Sequence, residues 1–407
     1  MKIYIVGFNG FIGKNLYLNL KQSGFDIILL SHNEIDLLID TTFEDIVINC
    51  AGVNKSVSEE DFDKGNYLFL DKLVENVSEK NVYPECGYSL KNKPFLIHLS
   101  SLMVYGFEDV NHNDLPLHHK WFIESKLKGE KFLIDRYNND KLCIIRPSNV
   151  YGYNCQPYYN NLLTTLVYEK INNYQKINKL NSNCIRNMIS VDSLCNEISN
   201  IIKNKTHGVF NIISDNNASL SDMIENIYND IPDHIQIENG PRSVFDLNNE
   251  NIIGKSIVVS ENFNERINKL EENMRRYYVL IDITTRIQKD YLSQSRGDMV
   301  EISSLNAKRL YKITINQHSI RGNHFHYKQI EDFYINSGKV TFVLALADYP
   351  EVVQVFHGIK DELVTVKPGI IHTVCNDFLN NIPEIIISST QEFIPNEIPD
   401  TKYVNIL

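Results

Sequence analysis

The sequence predicts a chain in two parts: an α/β part built on a doubly wound parallel sheet, followed by an all-β part. Three observations carry this. Residues 1 to about 205 alternate between short apolar runs and amphipathic stretches, the mark of strand–helix–strand crossovers. After Arg276 the texture changes to short β-rich runs separated by turn residues. And 407 residues are too many for one ordinary core. The expected division is 1–276 and 277–407.

In order, KIYIV, FDIILL, DIVINC, FLIHLS and LCIIRP read as buried strands, because each is a short apolar run of strand length. FIGKNLYLNLKQSG and DFDKGNYLFLDKLVENV lie between them and carry helical spacing. Residues 206–276 add a strand (GVFNII), a helix (SLSDMIENIYND) and a charged helix (ENFNERINKLEENMRR) that complete the first part. YYVLIDI, RLYKITIN, EDFYIN, VTFVLALA, ELVTVK and EIIISS then read as strands of a sandwich or barrel, several alternating apolar and polar.

Composition narrows the function. With 43% hydrophobic and 22% charged residues the class is soluble and globular. The net charge of -11, without a long basic run, argues against nucleic-acid or anionic-membrane partners. The 7 cysteines are scattered, with no CxxC pair, which fits reduced thiols and a cytoplasmic location. KIYIV follows the first residue directly, so no leader peptide is expected, and no apolar stretch approaches a membrane span.

VGFNGFIGKN places Gly7, Gly10 and Gly13 between the first strand and the first helix, which opens on Phe11 and Ile12. Glycine at such a turn lets the backbone approach a pyrophosphate, and the helix N-terminus supplies N–H donors. The second strand ends in Ser31-His32-Asn33, without the acid that usually meets an adenine ribose in NAD-selective domains. NADP(H) is therefore the expected cofactor, with NAD(H) the alternative.

HHKWFIESKLKGEKFL (118–133), LSSLMVYG with Ser101, the Asn49–Val53 segment at the fourth strand–helix turn with Ala51 and Gly52, Asn66 in the next helix, RPSNVYG with Asn149, NMISVDSL with Arg186 before it, and GPRSVFD with Arg242 together resemble the extended short-chain dehydrogenase/reductases that act on nucleotide sugars. The resemblance implies a Rossmann-type fold over roughly 1–276, with Ser101 and Lys126 as catalytic residues and Lys126 also on the nicotinamide ribose. Asn149, Asn160, Arg186 and Arg242 would bind substrate. In that family a Tyr stands four residues before the Lys and moves the proton at the sugar oxygen. Here the position holds Phe122, and a phenyl ring relays no proton. Tyr105, Glu124 or a water could take over, or the domain could bind without reducing.

The second part carries RGNHFHYKQIEDFYINSG (321–338) and VKPGIIHTVCN (366–376). Residues two apart on a strand share a face, so His324 and His326 point the same way. These blocks resemble the paired motifs of the cupin family, which implies an all-β jelly-roll domain and assigns His324, His326, Glu331 and His372 as metal ligands. Three nitrogens and one oxygen suit Zn²⁺, Fe²⁺, Mn²⁺ or Ni²⁺, with zinc the expected ion. A metal-free sugar cupin using histidine as a base is the alternative. The pairing of the two domains is similar to capsule-type bifunctional nucleotide-sugar enzymes. That likeness implies C3 epimerisation of a UDP-linked 4-keto-6-deoxy-N-acetylhexosamine in the cupin, C4 reduction with NADPH in the first domain, and a homodimer. Tyr327, Lys328, Asp332 and the histidines are the candidate bases, Tyr327 and Lys328 being carried as catalytic residues.

Overall fold

The structure, a computed structural model, describes residues 1–77, 93–105, 116–137, 139–181, 185–238, 254–290, 292–294, 297–303, 305–391 and 400–407. The chain divides into two compact units. One comprises Met1–Phe25 and Leu30–Glu272, the other Asp26–Leu29 and Asn273–Leu407.

The N-terminal part of the chain forms a doubly wound Rossmann-type sheet. Its seven strands lie in the order Ser256–Val259, Gly208–Ser214, Leu142–Pro147, Phe95–Leu99, Ile46–Asn49, Ile3–Val6, Ile27–Leu30. Pairing is parallel from Ser256–Val259 through to Ile3–Val6. Ile3, Ile5, Ile27, Leu30, Ile46 and Ile48 are fully buried. Burial on both faces explains why these strands read as unbroken apolar runs rather than alternating ones. The chain order reverses between Ile3–Val6 and Ile46–Asn49. The loops leaving these two strands at their carboxyl ends, Gly7–Gly13 and Cys50–Gly52, therefore flank a crevice of the kind where such sheets bind ligands.

Two local expectations need correction. Asn49–Val53 follows the third strand of the chain, Ile46–Asn49, and not a fourth. And YYVLIDI is no strand: the charged helix runs unbroken from Phe263 to Ile283. The aromatic and β-branched composition of 277–283 imitates a strand. However, buried Ile267, Leu270 and Met274 set a spacing of three and four that Tyr277 and Leu280 continue. Leu280 packs with Ile315, Phe333 and Phe342, so the end of the helix belongs to the second core.

The second unit is all-β. Two five-stranded antiparallel sheets run Thr285–Gln288, Glu362–Val366, Glu331–Ser337, Glu384–Ser389, Arg309–Thr314 and Tyr349–Ile359, Lys339–Leu346, Ile370–Asn376, Ser319–His326, Thr401–Tyr403. Phe333, Val364 and Ile387 from one sheet meet Phe342, Phe356 and Val374 from the other. Phe342 stacks on Phe356 at 5.2 Å and meets Phe333 edge-on at 5.7 Å.

Candidate functional site

The first site begins at the glycine turn. Gly7 has φ +81°, and a Cβ on it would lie 2.5 Å from the Ala51 nitrogen. A Cβ on Gly13 would lie 2.5 Å from the Gly7 carbonyl oxygen, so these two glycines serve the close packing of turn, helix and the next loop. Gly10 differs. Its nearest neighbour would be the Gly7 oxygen at 3.4 Å, so the missing side chain there serves no contact within the protein. It leaves the N-terminus of helix Phe11–Gln22 open to an approaching anion. The turn thus fits a dinucleotide pyrophosphate on internal geometry alone.

At the end of the second strand, Ser31 donates from N and Oγ to the Glu34 carboxylate, at 3.0 and 2.7 Å. His32 and Asn33 are exposed. A carboxylate therefore stands where the sequence showed none. It comes from four residues past the strand, folded back by the turn into Ile35–Asp40.

Lys126 lies on helix Leu117–Arg136 and is buried. Its Nζ donates to the Leu99 carbonyl at 3.2 Å, and a Cβ on Gly52 would come within 3.0 Å of it. Burial lowers the ammonium to about 8, with Glu130 and Cys50 pulling the other way. Asn66 fixes the loop across from it. The helix there makes a π turn over Lys64–Leu68, and Asn66 accepts from Val53 N (2.9 Å) and donates to Val53 O (3.0 Å) and Ser125 Oγ (3.0 Å). One buried amide thus ties the Gly52–Val53 loop to the turn carrying Lys126, a frequent use of a π turn. Behind the same helix, Ser100 and Arg146 donate to Glu130, and Arg146 and Tyr105 share a hydrogen bond.

Ser101 and Phe122 line a cleft of about 210 Å³, together with Phe11, Ile12, Asn149 and Asn160. Phe122 is 7% exposed and meets Phe62 edge-on at 6.1 Å. The Lys126 ammonium lies 5.9 Å from its ring centroid. The position expected for the tyrosine is thus at the cleft wall, one turn from the lysine, and carries no hydroxyl. Asn149 donates to the Asn187 carbonyl at 3.1 Å. The charge of Arg186 acts on the cleft residue His119. Arg242 lies outside the described residues.

The second site lies in the β unit. Donor atoms of His324, His326, Glu331 and His372 all fall within 4.8 Å of one another. Three strands supply them, and the local reason is a β-bulge between Gly322 and His324. Gly322 has φ +111°, and a Cβ there would lie 2.3 Å from the His372 oxygen, so only glycine lets the two strands close up and set His324 opposite His372. The rings are oriented from behind. His326 Nδ1 meets Thr401 Oγ1 at 3.0 Å and His372 Nδ1 meets the Ile370 carbonyl at 3.3 Å. Both Nε2 atoms then stand 3.3 Å from one Glu331 oxygen. The other Glu331 oxygen accepts from Tyr311 OH (3.1 Å) and Gln329 Nε2 (2.7 Å). Burial acts to raise Glu331, but His326 and His372 overcome it and hold the carboxyl far below the usual range. Burial first, then His372 and His326, lowers His324 to about 4. Three imidazole rings beside an ionised carboxylate, with His326, His372 and Glu331 each held by a further partner, fit a divalent cation.

A cavity of about 140 Å³ opens on this cluster, lined also by Tyr311, Arg321 and Phe333. Tyr327 and Lys328 do not line it. The Tyr327 ring packs on Phe325 at 5.0 Å, on the face of the strand opposite to His324 and His326. Lys328 is exposed, its N–H bonded to Asp400. Asp332 is fully buried and accepts from Ser303 and Thr365.

Residues 3–212 match the model of the NAD dependent epimerase/dehydratase family. The chain belongs to that family. Residues 292–402 match a second model, the polysaccharide biosynthesis C-terminal domain. Across 98% of each chain this family member is 23% identical to a Pseudomonas aeruginosa protein named UDP-2-acetamido-2,6-beta-L-arabino-hexul-4-ose reductase. It is similar to the crystal structure of the capsular polysaccharide assembling protein CapF from Staphylococcus aureus at 22% identity and TM-score 0.45, covering 99% of this chain and 100% of that one. With MoeE5 in complex with UDP-glucose and NAD it shares 16% identity and a TM-score of 0.51, over 68% of this chain and 100% of that one.

Several residues of this epimerase/dehydratase chain escaped the sequence reading. Tyr311 had a signal, since RLYKIT alternates and places Tyr311 and Ile313 on the half-buried face. His118, His119 and Lys55 also line the first cleft. They had no signal beyond standing near the motifs, because which loops meet at a cleft is a tertiary property.

Proposed function

We propose that the chain is a two-site nucleotide-sugar enzyme. In this reading the β unit epimerises C3 of a UDP-linked 4-keto-6-deoxy-N-acetylhexosamine, and the first unit reduces its C4 ketone with a nicotinamide cofactor. The observation that carries it is the His324–His326–Glu331–His372 cluster, opening on a cavity and joined in one chain to a dinucleotide turn with Lys126 and Ser101. The name of the Pseudomonas aeruginosa relative, matched over nearly the whole chain, supports the substrate class.

A C4 ketone acidifies the C3 hydrogen. A group in the β cavity takes that proton and returns it to the other face. His324, His326, Glu331 and His372 would hold the divalent ion, whose contribution is to stabilise negative charge on the sugar oxygens. Tyr311 and Arg321 stand beside them to hydrogen-bond and orient the sugar. In the first unit, Gly10 admits the pyrophosphate, Lys126 holds the nicotinamide ribose and Ser101 hydrogen-bonds the reacting oxygen. In this reading Glu34, held by Ser31 just past the second strand, is the acid that meets the adenine ribose. The preferred cofactor in this reading is NAD(H), in place of the NADP(H) that Ser31, His32 and Asn33 suggested.

One observation favours a second reading, in which only the β unit is catalytic: Phe122 stands in the tyrosine position. A single experiment separates the two. The purified chain is incubated with the UDP-4-keto sugar in heavy water with NADH or NADPH. Nicotinamide absorbance and deuterium at C3 are followed together. Loss of absorbance with deuterium at C3 supports both sites. Deuterium alone supports the second reading, and neither signal overturns the proposal for this substrate.

A further inference from the structure

If the first unit reduces a ketone, some group other than residue 122 must deliver a proton. We propose that His119 is that group, a catalytic acid standing in for the absent tyrosine. The inference rests on the reductase half of the proposed function.

The argument starts from the helix. His119, Phe122 and Lys126 stand at spacings of three and four on Leu117–Arg136, so they form one stripe, about one turn apart each. His119 and Phe122 line the same cleft as Ser101, the residue expected at the reacting oxygen. The other titratable groups are placed less well. Tyr105 is turned to Arg146 and Asn211 and does not line the cleft, and neither does Glu124. Lys55 donates to the Tyr158 carbonyl, and Lys126 to that of Leu99. Tyr159 lines the cleft, but from an exposed loop, and a phenol is a weaker acid than an imidazolium. His118 lies 4.2 Å from His119, centroid to centroid, and is exposed, a path for the proton from solvent.

The step balances. Hydride leaves the dihydronicotinamide for the carbonyl carbon and the C=O π pair moves to oxygen. The oxygen takes the proton from the His119 imidazolium, leaving neutral imidazole, oxidised nicotinamide and an alcohol. His119 is then reprotonated from water through His118. Burial first, then the charges of His118, Arg186 and Lys55, hold His119 at about 4. A diphosphate bound against Arg186 and Lys55 would cancel two of those charges and raise it, tying the acid to an occupied site.

The test uses the full chain with the UDP-4-keto sugar and reduced nicotinamide. His119→Gln is expected to lower kcat for nicotinamide oxidation about 10²-fold or more with little change in KM. Adding Phe122→Tyr to that variant is expected to restore at least tenfold. UDP affinity within a few-fold of the parent shows that the variant cleft is intact, and His119→Asn gives a second variant should Gln misfold. Unchanged kcat in His119→Gln, or loss in Tyr159→Phe instead, overturns the inference. Absence of nicotinamide oxidation in the parent chain itself overturns the reductase reading, a distinct outcome.

Discussion

Phe122 shows how much one residue decides. The ring keeps the packing of a tyrosine, edge-on to Phe62 and beside Ile123, and lacks only the atom that chemistry would use. Phe122→Tyr alone is expected to raise the rate of ketone reduction about tenfold or more, read as nicotinamide oxidation, since the new hydroxyl faces the cleft with Lys126 one turn away. The glycine turn makes a second prediction at this scale. Gly7→Ala forces a strained φ and a clash with Ala51, costing on the order of 1–3 kcal/mol or more in urea unfolding. Gly10→Ala meets nothing nearer than 3.4 Å and should unfold like the parent, yet bind nicotinamide dinucleotide at least tenfold more weakly. Equal stability losses in both would show that Gly10 serves packing after all. Glu34→Gln removes one charge beside Ser31 and should shift the NADPH-to-NADH preference toward NADPH, by roughly tenfold in kcat/KM.

At the scale of elements, the β cluster depends on three strands meeting in one register. His324 and His326 share a face of Ser319–His326, and the bulge at Gly322 sets that face against His372. Glu331 comes from the facing sheet. No single strand holds the set, so metal and folding should be coupled. Adding Zn²⁺ at 100 times its dissociation constant is expected to stabilise the β unit by about 2.7 kcal/mol, and a chelator to remove the gain. Glu331→Ala should abolish that metal-dependent shift together with C3 deuterium exchange. A calorimetric profile indifferent to zinc and chelator would favour the metal-free alternative. The π turn at Lys64–Leu68 works in the same way for the first site, since regular α-helical phasing would turn Asn66 away from Val53 and Ser125.

Across the whole molecule, the two compact units hold separate candidate sites and separate cores. Among the described residues no helix is long and apolar enough to cross a membrane, and Cys50, Cys143, Cys155, Cys195 and Cys375 are free thiols. The first unit holds two histidines with depressed values. Burial, with Lys126 adding to it, lowers His98 to about 3, and burial with neighbouring cations lowers His119 to about 4. For a base whose folded value is depressed, the unfolded chain takes up protons first. The contribution of these groups to stability is therefore complete above about 6.5 and is lost as pH falls from there toward 4 and 3. The urea midpoint of the first unit should drop steadily between pH 7 and pH 4. His98→Asn, which keeps a polar partner for Asn49 at 3.0 Å, should flatten that fall.

The sequence by itself determined the fold class, the order of the strands along the chain, the glycine turn and the spacing of the histidine motif. These depend on local rules: apolar runs of strand length, a period of two on a strand, and glycine where the backbone must come close. Even there, local composition misled at 277–283, where strand-forming residues continue a helix because the spacing of buried positions outweighs propensity. Only the tertiary structure decided which side chains converge. It placed Glu34 back against Ser31, Phe122 and His119 on one cleft wall, Asn66 across from Ser125, and Tyr311 against Glu331. Those pairs are joined by turns, a π turn and sheet register, and such distances through space leave no mark in the spacing along the chain.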